Sequence, residues 1–187
     1  MAGILTAFGL SASAGLNAYI PLLIVAVSAK IGLLTLGEQF EPLTSWWAIG
    51  VLIVLGIIEL LVDKVPAADT VNDIINTFIR PAAGAILFAA SANAITDVNP
   101  IFSVILGILV AGSVHTGKML LRPAVTVTTG GVGNPIVSTI EDVISATTSL
   151  LAILLPWMVL LVAVTGIVIF LRWRMKRIER KEAARSQ

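Results

Sequence analysis

The stretch ELLVDKVPAADTVNDIINTFIRP, residues 59–81, places ionisable groups in a chain that is otherwise largely hydrocarbon. It runs from the end of an apolar segment, through Pro66, into a short amphipathic helix that stops at Arg80-Pro81. Four polar residues share one helical face at the spacing i, i+3, i+4 and i+7: Asp69, Asn72, Asp73 and Asn76. The opposite face is apolar: Val71, Ile74, Ile75 and Phe78.

The composition predicts a membrane protein. The 187 residues are 57% hydrophobic and 12% charged, with a mean hydropathy of +1.00. Soluble domains carry about 25% charged residues, so half that share indicates a bilayer as the solvent. The absence of cysteine from the sequence excludes a disulfide framework, a zinc-thiolate site and a thiol nucleophile.

The apolar runs predict an all-α polytopic membrane bundle. About 20 apolar residues cross a bilayer, and we expect about six transmembrane helices, within a range of five to seven. The runs are residues 4–36, 46–62, 81–95, 101–121 and 135–170, the last divided at Pro156-Trp157. The first run contains SASAGLNAYIP, residues 11–21, where Gly15, Asn17 and Pro21 predict a kink or break. Asn17 either points its amide into a functional interior or makes a helix–helix hydrogen bond.

Charge divides the chain into two predicted parts. Residues 1–171, a single integral membrane domain, carry five Lys or Arg against nine Asp or Glu. Residues 172–187 carry seven against two and predict a basic cytoplasmic helical tail. Six crossings would place both termini in the cytoplasm, in the cell inner (plasma) membrane. We expect the tail, with Trp173, to contact anionic lipid headgroups rather than nucleic acid.

Two weak internal similarities are present. Residues 66–78, PAADTVNDIINTF, align without gaps on residues 135–147, PIVSTIEDVISAT, and the polar face of the second segment consists of Ser138, Glu141, Asp142 and Ser145. Ser11, Gly15 and Pro21 align on Ser113, Gly117 and Pro123 at a different offset. Two interpretations stay open. One is an inverted repeat of the kind that transporters use, and the other is chance similarity between proline-led amphipathic helices.

The candidate site residues are polar groups inside or beside the apolar runs. They are Asp69, Asp73, Asn76, Glu141, Asp142, Glu59, His115 and Asn17. If the two amphipathic helices face each other, their oxygen atoms converge on a site for a hard cation or a proton. Alternatively, their N-termini attract an anion, or their polar faces lie against headgroups or water. No resident metal or cofactor is expected.

Single polar residues have alternatives of their own. Glu59 lies inside a predicted span, where an acid is a functional candidate, or it pairs with Lys64. His115 either relays protons or packs as a hydrogen-bonded residue. Arg80 and Arg122 each precede a proline and either mark the membrane interface or hold an anionic substrate.

Several segments together resemble a known family. SASAGLNAYIPLL, DKVPAADTVND with RPAAGA, and the HTGKMLLRP, TGGVGNP and STIED segments resemble bacterial membrane proteins of domain-of-unknown-function family 4126. The resemblance covers nearly all of the chain before the tail and implies an integral membrane protein without an established activity. The chain is also loosely similar to six-helix exporters of the lysine-exporter type, which contain inverted three-helix repeats. Glu59 and Asp63-Lys64 are similar to their acid–Asp–Lys motif, but the spacing is one residue longer.

Two functions follow as hypotheses. The first is a permease or exporter for a small solute or ion, in which acidic residues line the pathway and Glu59 and His115 handle protons. The second is a non-transporting membrane scaffold or partner subunit, which includes a homo-oligomer, with small-residue helices serving association. An enzyme is not expected, because no nucleophile–base pair is visible in the sequence.

Overall fold

The computed structural model is helical throughout the residues it describes. It describes the backbone of residues 2–63, 66–92 and 98–183, and the side chains of residues 3–63, 72, 74–92 and 98–177. The helices are α1 (Ala2–Leu16), α2 (Tyr19–Lys30), the 3₁₀ helix η1 (Glu38–Thr44), α3 (Trp46–Val62), α4 (Pro66–Ala92), α5 (Pro100–Thr129), α6 (Asn134–Leu154) and α7 (Pro156–Ala183). The predicted all-α polytopic membrane bundle is confirmed.

The predicted number of six crossings is not confirmed. In the described part of the chain, α4, α5, α6 and α7 are long and apolar enough to cross a membrane. A fifth crossing is present if η1 and α3, which meet at 65°, are counted together. The first apolar run is broken into α1 and α2, of 15 and 12 residues. These helices are about 22 and 18 Å long, too short for a hydrocarbon core of about 30 Å.

Helices α1 and α2 form a helical hairpin, residues 2–30, with its tip at Asn17 and Ala18. The start of α2 lies beside the end of α3, because a Cβ on Gly56 would meet Tyr19 at 3.5 Å. The end of α2 lies beside the start of α3, where Lys30 is 4.2 Å from the ring centre of Trp46. Helix α2 therefore runs antiparallel to α3.

The loop after α2 lies at the end of the bundle where α1 begins. Gly37 donates its N–H to Ala90 near the end of α4, and Ala7 of α1 packs beside Phe88 and Ala92. Seven residues from Lys30 to Gly37 can span only about 25 Å, so α2 has to return toward that end. We name it the hairpin end, and the opposite end, where α4 begins, the tail end.

The two chain termini are directed toward opposite ends of the bundle. Thr6 of α1 donates to the carbonyl of Ala152, so α6 finishes at the hairpin end. Helix α7 starts there and runs back along α1 and α6, with Val159 beside Gly9. The expectation that both termini are cytoplasmic depends on an even number of crossings, which these helix directions do not give.

The polar faces of α4 and α6 point inward and their apolar faces point outward. On α4, Asn76 is 1% exposed whereas Phe78 is 77% exposed. On α6 the buried side chains include Ser138, Asp142, Ser145 and Ser149, and the exposed ones include Ile140, Val143 and Ile144. This arrangement is the reverse of a soluble helix and suits lipid on the outside. It also brings polar groups from several helices into contact.

Candidate functional site

Six charged side chains meet inside the bundle, and we name this group the charge network. It contains the acids Glu59, Asp63 and Glu141 and the bases Arg80, Lys118 and Arg122. The side chains of five members are at most 9% exposed, and that of Glu141 is 13% exposed. Three negative and three positive charges therefore balance within the protein.

Helical spacing explains why these side chains meet. Helix α3 presents Glu59 one turn before its C-cap, Asp63. On α4, Asn72, Asn76 and Arg80 follow at intervals of four residues and share one face. Helix α5 aligns its polar residues at i, i+3 and i+7: His115, Lys118 and Arg122. Helix α6 contributes Ser138, Glu141 and Asp142.

Glu59 is held by two donors on one oxygen. Its Oε1 accepts from Nδ2 of Asn76 at 3.0 Å and from a terminal nitrogen of Arg80 at 3.0 Å. Within the described residues, its buried Oε2 has no hydrogen-bond partner, and neither has Nε of Arg80. Glu59 therefore keeps an unused acceptor inside the protein.

Asp63 connects four helices. Asn72 donates to its Oδ1 at 2.5 Å, and Ser138 donates to its Oδ2 at 3.1 Å. Three cations surround the same Oδ2 at 3.7–4.0 Å: Arg122, Lys118 and Arg80. Each of these cations lies closer to another carboxylate than to Asp63. Asp63 is therefore a shared, secondary ion-pair partner for all three.

Glu141 holds the other two bases and links the network to the hairpin. Its Oε2 is 2.9 Å from Nζ of Lys118 and 3.4 Å from a terminal nitrogen of Arg122. Lys118 also lies 3.4 Å from the carbonyl oxygen of Leu16, the last residue of α1. The negative end of the α1 dipole thus faces a cation.

His115 lies between Arg80 and Thr77. Its Nδ1 is 3.2 Å from a terminal nitrogen of Arg80, and its Nε2 is 3.3 Å from the hydroxyl of Thr77. A guanidinium has only donors, so Nδ1 accepts from Arg80. In the neutral ring Nε2 then carries the proton and donates it to Thr77.

Asn17 forms the tip of the hairpin and joins it to α6. Its Oδ1 accepts from the N–H groups of Tyr19 and Ile20 at 3.0 Å each, which caps the start of α2. Its Nδ2 donates to Oδ1 of Asp142 at 2.9 Å. Asn17 therefore fixes the break between α1 and α2 and makes the helix–helix hydrogen bond that was one of its two interpretations.

The structure brings six of the eight candidate residues into one region. Asn76, Glu59, His115, Glu141, Asp142 and Asn17 all lie in or beside the charge network. The side chains of Asp69 and Asp73 lie outside the described residues, so their convergence with Asp142 stays a prediction. Asn76 is buried and does not face headgroups, which was one alternative for it. In the described part of the chain, no group of three or more His, Asp or Glu side chains could hold a metal ion.

None of the network's three cations was among the candidate residues. Arg80 and Arg122 are 0% and 8% exposed, so their interpretation as interfacial stops was wrong. Lys118 and Asp63 were not among the candidates. Extending the polar face of α4 by one turn, from Asn76 to Arg80, would have indicated the first cation. The spacing of the three α5 residues would have indicated the other two.

A family model described as domain of unknown function (DUF4126) matches residues 4–176. The chain belongs to this family. The predicted resemblance is thereby confirmed, whereas the looser similarity to lysine exporters is not. No curated protein and no solved structure matches the chain. The DUF4126 family description assigns no activity, so function has to be inferred from the site.

Proposed function

We propose that this DUF4126 protein is a permease or exporter for a small solute or ion, and that the charge network forms part of its pathway. The observation that carries the proposal is the meeting of the helical hairpin's tip with buried charges from α3, α4, α5 and α6. Transporters bind substrates and coupling ions on discontinuous helices near the middle of the membrane.

The cost of burying the network supports a functional role. Ionisable residues inside a membrane domain are expensive and commonly mark ion or substrate routes. Replacing a buried ion pair by apolar residues of similar size is often neutral or stabilising. The other half of the bundle is held by apolar packing. Stability alone therefore does not explain why the half with the charge network buries six charges.

The helix ends at the hairpin tip supply further polar groups. The carbonyl end of α1 faces Lys118, and the N–H end of α2 is capped by Asn17. Asn17 in turn holds the carboxylate of Asp142 close to the positive end of the α2 dipole. Backbone that departs from a regular helix at membrane depth is tolerated where it is buried or lines a cavity.

Charge at the two ends of the bundle supports one orientation. Among the α7 side chains that the structure describes, the exposed basic ones are Arg172, Arg174, Lys176 and Arg177, and Arg177 lies 4.7 Å over the ring of Trp173. The 3₁₀ helix at the hairpin end carries Glu38 and Glu41. We infer that the tail end faces the cytoplasm and contacts anionic lipid, whereas the hairpin end and the N-terminus face outward.

Solid-supported-membrane electrophysiology on proteoliposomes tests the permease. The probes are concentration jumps of protons, potassium ions and amino acids. Asp142→Asn keeps the Oδ1 acceptor for Asn17, removes the negative charge and replaces Oδ2 by an amide nitrogen. We expect it to lower the transient current at least tenfold, whereas Glu41→Gln at the exposed hairpin end leaves it unchanged. No current above that of empty liposomes with any probe, or equal currents in both variants, would contradict the permease.

One observation favours the scaffold as second candidate. The most apolar part of α7, Pro156–Arg177, has no buried residue and offers a surface to lipid or to another helix. The small residues expected to serve association instead pack inside the chain, with Gly15 against Ala111 and Gly84 against Gly107. A scaffold would need α7 and would tolerate Asp142→Asn.

A further inference from the structure

We propose that Glu59 is the proton-binding group of the charge network and that proton binding transfers Arg80 from Glu59 to Asp63. The inference rests on the proposed function, for which it names the proton as coupling ion. Proton binding can nevertheless be measured without transport, so the two proposals can fail separately.

Glu59 has the geometry of a proton acceptor. It is 2% exposed, and Asn76 and Arg80 both donate to the same oxygen, Oε1. Within the described residues its Oε2 is buried and accepts no hydrogen bond. A proton can bind this lone pair without first breaking a contact. A proton taken from water forms the O–H bond at Oε2 and neutralises the carboxylate.

The other carboxylates of the network are held more firmly. Asp63 accepts from Asn72 and Ser138 on its two oxygens, and three cations surround it. Glu141 has Lys118 at 2.9 Å and Arg122 at 3.4 Å on one oxygen. Protonating either acid would weaken the pairing of at least two cations, whereas protonating Glu59 affects mainly Arg80.

His115 is less suited to bind the proton. Its Nδ1 faces Arg80, which cannot give up a proton at physiological pH, and its Nε2 faces Thr77. A second proton on the ring would have to displace the guanidinium. Of the two residues that the sequence suggested for proton transfer, Glu59 and His115, we therefore assign proton binding to Glu59.

The charged groups around Glu59 determine what protonation does. Arg80 faces it from α4, Lys118 from α5, Tyr19 from α2, and Asp63 from its own helix. A terminal nitrogen of Arg80 is 3.0 Å from Glu59 and 4.0 Å from Asp63. When Glu59 becomes neutral, Asp63 is the remaining negative partner within reach. A movement of about 1 Å, the difference between these distances, completes the exchange.

The transfer of Arg80 from Glu59 to Asp63 also affects the contacts of the hairpin. Arg80 then shares Asp63 with Lys118 and Arg122, and like charges brought together repel. Lys118 also contacts the carbonyl of Leu16 at the hairpin tip. The protonation state of Glu59 is thus connected to the position of the broken helix by two ion-pair contacts.

Infrared difference spectroscopy of the purified full chain in lipid nanodiscs tests the proton site. Between about pH 4 and pH 9 we expect a carbonyl-stretch band of a protonated carboxylic acid in a dry environment. Glu59→Gln should abolish this band, whereas Glu141→Gln and Asp142→Asn should retain it. The glutamine is conservative, because its Oε1 still accepts from Asn76 and Arg80. The band's absence from wild type, or its survival in Glu59→Gln, would overturn the assignment.

A second measurement needs no substitution at Glu59. Between residues 46 and 171 the sequence contains two glutamates, Glu59 and Glu141. In the Glu141→Gln variant carrying ¹³C-labelled glutamate, an isotope shift assigns the band to a glutamate, and Glu59 is the one that remains between residues 46 and 171. A band without that shift excludes Glu59, even if Glu59→Gln fails to fold.

The transfer of Arg80 has its own test. Asp63→Asn should lower the melting temperature more in the Glu59→Gln background than in wild type, because Arg80 then lacks both carboxylates. An equal decrease in melting temperature in the two backgrounds would overturn the proposed transfer of Arg80 from Glu59 to Asp63. A band assigned to Glu59 without any transport current would support the proton site and contradict the permease. A transport current without that band would contradict only the proton site.

Discussion

The two halves of the bundle are held together by different forces. Toward the hairpin end, α1, α4 and α5 pack through small residues, with Gly84 against the backbone of Gly107. Toward the tail end, the cations of α4 and α5 pair instead with acids of α3 and α6, and the Arg80–Glu59 pair at 3.0 Å is fully buried. Arg80 and Gly84 are one turn apart on α4, so the change between the two regions is abrupt.

The difference separates a rigid part from a part that can rearrange. Close-packed small residues have a single arrangement and are insensitive to protons. In the charge network each cation has a second carboxylate within 4.0 Å. Alternative pairings whose distances differ by at most about 1 Å allow a small event to change the structure. The packed half therefore serves as the frame, and the charged half as the part that responds.

The largest expected effect follows from removing a cation of the charged half. Arg80→Gln leaves the buried carboxylate of Glu59 without its ion pair, and breaking a buried pair costs about 3–5 kcal/mol. We expect a loss of that size in the free energy of unfolding, measured by denaturant titration in mixed micelles.

Two further variants serve as controls for this experiment. Arg174→Gln, on the exposed end of α7, should change stability by less than about 0.5 kcal/mol. The double variant Glu59→Gln, Arg80→Gln should recover most of the loss, because no unpaired charge remains. A double variant as unstable as Arg80→Gln alone would show that the cation contributes packing rather than charge.

The next effect concerns the hairpin tip. Asn17→Ala removes the cap of α2 and leaves buried Asp142 without that donor. We expect a cost of about 2–3 kcal/mol, the sum of a cap and a buried hydrogen bond to a charged group. Asn99 is the matched control, since its Oδ1 caps α5 at the exposed N–H of Ile101. Asn99→Ala should cost about 1 kcal/mol; equal losses would show that Asn17 acts only as a cap.

The fold class could be predicted because composition and periodicity determine it. The spacing of Asn72, Asn76, Asp142 and Ser145 predicted the polar faces of α4 and α6, and an inward direction was one of the alternatives for them. The number of crossings could not be predicted from length alone. Gly15, Asn17 and Pro21 indicated a break, but whether α2 continues or returns depends on contacts such as Tyr19 with Gly56 and Lys30 with Trp46.

The acids of the site were easier to predict than its cations. A carboxylate in an apolar run has few structural explanations, so Glu59 and Asp142 were identified. Arginine before a proline at the end of a predicted span has a common explanation, the membrane interface, and this was one of the two interpretations of Arg80 and Arg122. Helix α4 continues through Pro81 and α5 through Pro123. Both arginines therefore lie inside long helices rather than at their ends.

A single added methyl group should have opposite effects on stability at two glycines, Gly84 in the packed half and Gly117 on α5. A Cβ on Gly84 would lie 2.8 Å from the carbonyl oxygen of Gly107 and also overlap Ala111. Gly84→Ala should therefore destabilise the protein by about 2 kcal/mol, the range of overpacking. A Cβ on Gly117 meets nothing within 4 Å. Gly117→Ala should stabilise α5 by up to about 1 kcal/mol through helix propensity. The same sign for both variants in thermal unfolding would contradict the close packing.

The smallest effect concerns a hydrogen bond between α1 and α6 in the packed half. Ala152 would normally give its carbonyl to the N–H four residues later, but that residue is Pro156, which has none. The hydroxyl of Thr6 donates to this carbonyl instead, at 2.8 Å. Thr6→Val keeps the shape of the side chain and removes the donor, so we expect a loss of about 1 kcal/mol.

Thr165 provides the matched control for this variant. Its hydroxyl donates to Leu161 within α7 and is exposed, so Thr165→Val should change stability by less than about 0.5 kcal/mol. Because Thr6 carries no charge, its variant should also leave the proton-dependent infrared band and the transport current intact at a temperature where the protein stays folded. A loss of either signal in folded Thr6→Val protein would show that the packed half takes part in function, and the division of the bundle into frame and responding part would then fail.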